Sequence, residues 1–110
     1  MNNRNKQVVK KILTEIEVIE QLITDIDVTD FIADERTKRA VCMTLINIGE
    51  LVKNLSDDFK AASTSVPWKS IAGMRDVTAH KYQTLKMGDV WLTVKNDIPI
   101  LKAQLESIVK

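Results

Sequence analysis

The fold class is decided by residues 9–26, which read VKKILTEIEVIEQLITDI. An aliphatic residue recurs along this stretch in alternating steps of three and four, at Val9, Ile12, Ile16, Ile19, Ile23 and Ile26. That spacing places the aliphatic side chains on one stripe of a helix. The pattern therefore predicts a first amphipathic helix over residues 4–27. In the turn that follows, Thr29 is a candidate cap for a short helical turn that holds Phe31 and Ile32.

Three further stretches repeat this pattern and predict helices over residues 34–55, 67–81 and 89–109. Their core-facing residues are Val41, Leu45, Ile48, Val52 and Leu55, then Trp68, Ile71, Met74 and Val77, and finally Trp91, Val94, Ile98, Leu101, Leu105 and Ile108. Between the second and third helices, one helical turn is expected at residues 57–60.

Both prolines refine these boundaries. Pro67 suits the first position of the third helix, with Ser65 as a possible cap. Residues 86–88 are expected to form a loop before the last helix. Within that helix Pro99 lacks an amide hydrogen, so a kink is expected near Val94 and Lys95.

The composition supports an all-α fold, because the chain has three glycines, two prolines and 5% aromatic residues. We therefore predict an antiparallel helical bundle of four main helices. The length of 110 residues predicts a single domain over residues 1–110. Because the apolar stripes are wide for so short a chain, a self-associating surface is expected, and a two-fold homodimer is the commonest form.

The chain has 16 basic and 15 acidic residues, so its net charge is close to zero. No broad electrostatic attraction to nucleic acid or membrane follows, so any nucleic-acid site must be local. The basic N-terminus is not followed by a continuous apolar stretch, which argues against a signal peptide or membrane span and favours a cytoplasmic protein. The single cysteine, Cys42, lies among apolar neighbours and is expected to be a buried thiol.

Most site chemistries are excluded by residue types. One histidine, one cysteine and scattered carboxylates do not predict a metal site, and the dispersed glycines do not form a phosphate loop. No cofactor is predicted. Arg75 and His80 remain, and together they could bind or cut a phosphodiester without a metal.

The spacing of Arg75 and His80 leaves alternatives open, because five steps along a regular helix put the two side chains about 140° apart. Either the helix ends or distorts before His80, or two copies of the chain face each other across a two-fold axis. Both residues also have purely structural interpretations. His80 could interact with the last carbonyls of the helix, and Arg75 could pair with Asp76 or Glu50. Asn47 and Glu50 lie on a polar stripe of the second helix that is either solvated or lines an interface or pocket.

The ordered segments of the chain resemble HEPN domains, in particular the HepT-like toxins. The motif Arg-x-x-x-x-His-x-Tyr is present at Arg75, His80 and Tyr82. The resemblance extends to segments 31–36, 47–50, 66–76, 90–91 and 97–99.

The resemblance implies an all-helical dimer with the motif in the dimer cleft and metal-independent endoribonuclease activity on RNA. Arg75 and His80 would be catalytic, with Asp76, Asn47 and Glu50 in support. It also implies a partner, the minimal nucleotidyltransferase antitoxin MntA, which would silence the toxin by adenylylating Tyr82. The alternative is a non-catalytic helical module that binds a nucleotide or such a partner, which the near-zero net charge favours mildly.

Overall fold

The structure is a computed structural model that describes the backbone of residues 2–109 and the side chains of residues 2–74 and 82–109. No strand occurs within residues 2–109, which confirms the predicted all-α class. The helices are α1 (Asn3–Leu22), α2 (Val28–Ala33), α3 (Glu35–Lys53), α4 (Asp57–Ala61), α5 (Trp68–Lys81), α6 (Met87–Leu92) and α7 (Ile98–Ile108).

Helix α1 ends at Leu22, so the prediction that it continues to residue 27 was wrong. The cause is local, because Asp25 adopts a φ of 61°, in the left-handed region that a right-handed helix cannot contain. Ile23 and Ile26 nevertheless pack against the core from the turn that follows. The prediction that Ile23 and Ile26 pack against the core is therefore confirmed, whereas the prediction that they lie within the first helix was wrong.

Helix α2 is capped by Asp27 and not by Thr29, which lies inside the helix. The Asp27 carboxylate accepts a hydrogen bond from the backbone N–H of Asp30, and the Asp30 carboxylate accepts one from the N–H of Asp27. This reciprocal pair satisfies two backbone donors that the start of a helix otherwise leaves open.

Helix α3 has nearly the predicted bounds and begins after Asp34, whose carboxylate accepts from the N–H groups of Arg36 and Thr37. The short helix α4 confirms the turn expected between the second and third helices. Helix α5 begins at Trp68, and Pro67 is the cap residue whose carbonyl accepts from the N–H of Ile71.

Ser65 does not cap α5, contrary to the prediction. Its hydroxyl instead donates to the Gln104 side chain on α7 at 3.3 Å. The start of α5 is held by tertiary contacts, since the Trp68 indole N–H donates to the carbonyls of Lys60 and Ser63.

The last predicted helix is interrupted near Val94 and Lys95, where the effect of Pro99 was expected. Helix α6 starts at Met87, so the loop expected over residues 86–88 is mostly helical. The hydrogen bonding becomes π-helical over Thr93–Asp97, and the N–H of Ile98 donates to the carbonyl of Thr93. Because Pro99 cannot donate to the carbonyl of Lys95, the chain accommodates the missing bond by widening this turn.

Helix α3 is the centre of the bundle and packs against α1 on one side and α5 on the other. Helix α7 packs against α1, and α6 packs against α2. The fully buried core side chains include Val9, Ile12, Ile16, Ile19, Phe31, Val41, Leu45, Ile48, Ile71, Ile98, Leu101 and Leu105. Burying one such aliphatic side chain contributes about 1.5–3 kcal/mol, so the predicted stripes supply most of the driving force for the fold.

Two polar contacts join helices that are distant in sequence. The Asn5 side chain, which is buried, donates to the Ser56 hydroxyl at 3.0 Å and accepts from the Ser56 N–H at 3.2 Å, so α1 is tied to the start of α4. Lys102 on α7 contacts Glu20 on α1 at 2.7 Å. Among the helices of residues 2–109, none is long and apolar enough to cross a bilayer.

Candidate functional site

Helix α5 carries the motif, and its backbone is α-helical from Trp68 to Lys81 without interruption. The helix therefore passes through Arg75, Asp76 and His80, and the alternative in which it ends before His80 is wrong. The side chains of residues 75–81 lie outside the described residues, so the roles predicted for Arg75, Asp76 and His80 stay predictions. The alternative in which two copies share one cleft also stays a prediction.

Tyr82 follows α5 directly and begins a short 3-10 turn over Tyr82–Thr84. Its hydroxyl donates a hydrogen bond to Oε2 of Glu35 at 2.5 Å, and the guanidinium of Arg39 lies 4.8 Å from the centre of its ring. The end of α5 is thereby fastened to the start of α3. These two helices run antiparallel, because the last residues of one meet the first residues of the other.

Glu35 is the hub of this cluster and accepts from three donors. Besides Tyr82, the Nζ atom of Lys38 lies at 3.2 Å and Nε of Arg39 at 2.8 Å. Glu35 is the first residue of α3, and Lys38 and Arg39 follow at three and four positions, so one helix face presents the carboxylate and both cations.

The ionisation states of this cluster follow from its contacts. The hydrogen bond from Tyr82, and next that from Lys38, lower the pKa of Glu35 below its usual value. Partial burial, followed by the hydrogen bond to Glu35 and its negative charge, raises the pKa of Tyr82 to about 12, although Arg39 acts in the opposite direction. At neutral pH the cluster therefore contains a carboxylate and a protonated phenol.

Cys42 lies on α3 two turns beyond Glu35 and is buried, as the sequence predicted. Burial, and next the negative charge of Glu35, raises the pKa of its thiol to about 11. Because the thiolate is the reactive form of cysteine, this thiol is inert at neutral pH and acts as a core residue.

Asn47 and Glu50 lie farther along α3, on the side that faces α1. The Asn47 side-chain amide donates to Oε1 of Glu15 at 2.8 Å. Both residues line a shallow groove of about 420 Å³ with Lys11, Thr14, Glu15 and Leu51. At 1.5 Å per helical residue, Asn47 is about 18 Å along α3 from Glu35, so Asn47 and Glu50 are not part of the Tyr82 cluster and their supporting role stays a prediction.

A second recess opens beside the described part of α5, immediately before Arg75. It measures about 340 Å³ and is lined by Leu45, Ser70, Gly73, Met74, Leu85, Lys86, Asp89, Val90 and Thr93. The recess is mainly apolar, and it lies between α3, α5 and the start of α6. Its lining also includes the charged residues Lys86 and Asp89.

Metal-ligating side chains do not cluster in the part of the chain whose side chains are described, where no group of three or more histidine, cysteine, aspartate or glutamate residues could hold an ion. The absence of a metal site was predicted for the whole chain, including Asp76 and His80. For those two residues it stays a prediction.

Comparison with known proteins identifies the family. The model of the family described as ribonuclease HepT-like matches residues 12–108. The chain belongs to the HepT-like ribonuclease family. Along its entire length it is 38% identical to the entire length of a protein of Thermococcus cleftensis named "Probable ribonuclease HepT". No solved structure matches it significantly.

Two further relatives of this HepT-like chain carry a related description. A "Putative RNase" of Caldanaerobacter subterraneus is 38% identical over 99 residues, which are 90% of this chain and 88% of the relative. A "Putative RNase" of Methanocaldococcus jannaschii is 36% identical over 99 residues, which are 90% of this chain and 85% of the relative. The resemblance inferred from the motif is thus confirmed at the level of the family.

The sequence did not identify Glu35 and Arg39 as neighbours of the motif tyrosine in this HepT-like chain. Their spacing of four residues is visible and predicts an ion pair on one helix. Tyr82, however, is 47 residues away from Glu35, and no local pattern joins them. The contact itself is a hydrogen bond from the Tyr82 hydroxyl to the Glu35 carboxylate.

Proposed function

We propose that this protein is a metal-independent endoribonuclease, the toxin of a toxin–antitoxin pair, that acts at a site formed by Arg75 and His80. The observation that carries the proposal is that a HepT-like ribonuclease model matches residues 12–108, a range that includes Arg75, His80 and Tyr82 in the expected spacing. The uninterrupted backbone of α5 supports the arrangement of the site across two copies, because positions five residues apart on a regular helix are separated by about 140°.

In the proposed reaction, the ribose 2′-hydroxyl attacks the adjacent phosphorus and the 5′-oxygen of the next nucleotide leaves. His80 transfers a proton, and Arg75 holds the phosphate and stabilises the negative charge that accumulates on it. Asp76 orients Arg75 or His80. Asn47 and Glu50 are the proposed supporting residues on the polar face of α3, where they line the groove beside α1.

Cleavage of RNA in the presence of EDTA, with release of a cyclic phosphate end, tests this proposal. His80→Ala and Arg75→Ala should each lower the rate by about 100-fold or more. Glu17→Gln, an exposed substitution on α1, is the matched control and should cleave at the wild-type rate. Activity that disappears with the chelator, or Ala variants as active as the control, would contradict the mechanism.

The proposed homodimer has its own test. Light scattering should give twice the monomer mass at micromolar concentration, and a mixture of Arg75→Ala and His80→Ala chains should recover part of the lost activity, because a mixed dimer supplies both groups. A strict monomer that still cleaves RNA would refute the two-copy site.

The proposed regulation is adenylylation of Tyr82 by a nucleotidyltransferase antitoxin. A bulky anion at this position, next to the last turn of α5, would occlude the cleft and attract the cation that binds substrate phosphate. Tyr82→Phe should therefore cleave RNA and escape silencing. Tandem mass spectrometry after incubation with the cognate nucleotidyltransferase and ATP should place the added mass on Tyr82, and its placement elsewhere would refute this part.

The alternative, a non-catalytic helical module, predicts a different result in the same assay. The near-equality of 16 basic and 15 acidic residues favours it, because tight RNA binding usually needs several basic contacts. Wild-type protein that forms a complex with the nucleotidyltransferase but never cleaves RNA would support it.

A further inference from the structure

Tyr82 does not present a free hydroxyl to its surroundings. The phenol donates to the ionised carboxylate of Glu35 at 2.5 Å, and the same oxygen of Glu35 accepts from Nε of Arg39 at 2.8 Å. The Arg39 guanidinium also lies over the tyrosine ring, 4.8 Å from its centre. A proton acceptor and an anion-binding fork therefore both adjoin the hydroxyl group.

We infer that Glu35 and Arg39 are this chain's own contribution to the modification of Tyr82: Glu35 accepts the phenol proton, and Arg39 then binds the newly attached phosphate. The inference rests on the proposed adenylylation of Tyr82 and adds residues that this proposal does not include.

The transfer balances with ATP as the only co-reactant. The Tyr82 hydroxyl oxygen forms a bond to the α-phosphorus of ATP, and the bond from that phosphorus to the bridging oxygen of the β-phosphate breaks. Pyrophosphate leaves with the electron pair of the broken bond. The phenol proton passes to the Glu35 carboxylate along the existing hydrogen bond and is then released to water.

The need for a base follows from the chemistry of the phenol. A protonated tyrosine is a weak nucleophile, and the surroundings of Tyr82 disfavour its free ionisation at neutral pH. A positioned carboxylate removes the proton as the new bond forms, so that a full tyrosinate is never required. Glu35 is suited to this step because it is ionised at neutral pH and lies within hydrogen-bond distance of the reacting oxygen.

The charges of the cluster also suit the product. Before transfer, Lys38 and Arg39 both pair with the single carboxylate of Glu35. After transfer, a phosphodiester with a negative charge is attached to the same phenol oxygen. Arg39 can then exchange the carboxylate for the phosphate, because its planar fork fits phosphate oxygens in a bidentate manner.

The decisive variant is Glu35→Gln, which keeps the size and a hydrogen-bond acceptor but removes the base. With the cognate nucleotidyltransferase and ATP, its modification at pH 7 should be about 100-fold slower than that of wild type or slower still. The ratio of its rate to the wild-type rate should rise about tenfold per pH unit between pH 7 and 9, because only the tyrosinate fraction reacts. Taking the ratio cancels any pH dependence of the partner enzyme.

Three further variants separate chemistry from structure. Glu17→Gln should follow wild type at every pH. Glu35→Asp keeps the carboxylate one methylene farther back, so it should be slower than wild type but show a constant ratio across pH. Arg39→Ala should be slowed by roughly tenfold or more with a constant ratio, because it removes a phosphate contact and not the base. Thermal melting identifies any variant that does not fold, and Glu35→Ala, which also removes the base, then replaces Glu35→Gln for the rate comparison.

Among the described side chains, the groups that act on Tyr82 are Glu35, Arg39 and Cys42, and the Glu35 carboxylate is the one that accepts the phenol hydrogen bond. Glu35→Gln that is modified at the wild-type rate with a pH-independent ratio would overturn the inference while leaving the adenylylation of Tyr82 intact. Wild-type protein that carries no adenylyl group on Tyr82 would instead overturn the proposed regulation, and this inference with it.

Discussion

The ionisation of Tyr82 gives a direct test of the Glu35 contact, without any partner protein. Tyr82 is the only tyrosine in the chain, so the ultraviolet absorbance of tyrosinate reports on this one residue. Partial burial, the hydrogen bond to Glu35 and the charge of Glu35 together raise its pKa to about 12, compared with the ordinary value of 10. The perturbation is Glu35→Gln, which removes the charge and leaves an acceptor in place.

The expected magnitude follows from the two pKa values. At pH 11, a phenol with a pKa of about 12 is roughly one tenth ionised, whereas one with a pKa of about 10 is roughly nine tenths ionised. In Glu35→Gln the midpoint should move from about 12 toward 10, with partial burial still holding it above the ordinary value. The variant should therefore be several times more ionised than wild type at pH 11.

Arg39→Ala provides a control of opposite sign, because the charge of Arg39 lowers the pKa of Tyr82. Its midpoint should lie above that of wild type. Circular dichroism at each pH confirms that the protein remains folded during the titration. A wild-type midpoint near pH 10, or identical midpoints for wild type and Glu35→Gln, would refute the contact.

The same shift has a consequence for stability. Because the folded-state pKa of Tyr82 is raised, the protonated phenol contributes stability that is fully present below pH 10 and is lost as pH rises toward about 12. Denaturation midpoints of wild type should therefore decline over this window more steeply than those of Tyr82→Phe.

Two further predictions concern the bundle itself. Ile48→Ala removes a fully buried side chain at the centre of α3 and should lower the free energy of unfolding, measured in urea, by about 2–5 kcal/mol. Met43→Ala is the control on the same helix and should lower it far less, because the Met43 side chain is 57% exposed. Equal losses for the two variants would contradict the described core. At the start of α3, the hydrogen bond from the Thr37 hydroxyl lowers the pKa of Asp34, and the hydrogen bond from Tyr82 lowers the pKa of Glu35. Both ionised carboxylates therefore stabilise the fold at pH values above their ordinary pKa values of 3.8 and 4.5, and this stabilisation is lost as the pH falls. The Asp34→Asn/Glu35→Gln double variant should therefore lose less stability than wild type between pH 5 and about 3, and parallel curves would contradict this assignment.

The agreement between sequence and structure is best where the signal is periodic. The apolar stripes of α1, α3 and α7 contain core residues such as Ile12, Ile48 and Leu101, and all three are fully buried. The position of the break in the last helix was also predictable, because a missing amide at Pro99 has a fixed consequence for one carbonyl. These features depend on chemistry within one or two turns of helix.

The agreement is poorer where the backbone conformation of one residue ends a helix although the apolar pattern of its neighbours continues. The stripe that begins in α1 continues past Leu22, yet Asp25 turns the chain and Ile26 reaches the core from outside the helix. Thr29 and Asp27 are both good capping residues, and only the actual path of the chain selects Asp27. Near a helix end, several local arrangements differ by about 1 kcal/mol, so tertiary packing decides among them.

By itself, the sequence determined the all-α class, the composition of the core and the family, because the periodic spacing of apolar residues and the order of the motifs are properties of the linear sequence. It also placed Arg75, His80 and Tyr82 in one short segment. Only the tertiary structure decided what surrounds the tyrosine. Glu35 and Tyr82 are 47 residues apart and meet because α3 and α5 pack antiparallel. Such a contact depends on the relative placement of two helices, and the periodicity of either helix alone contains no information about it.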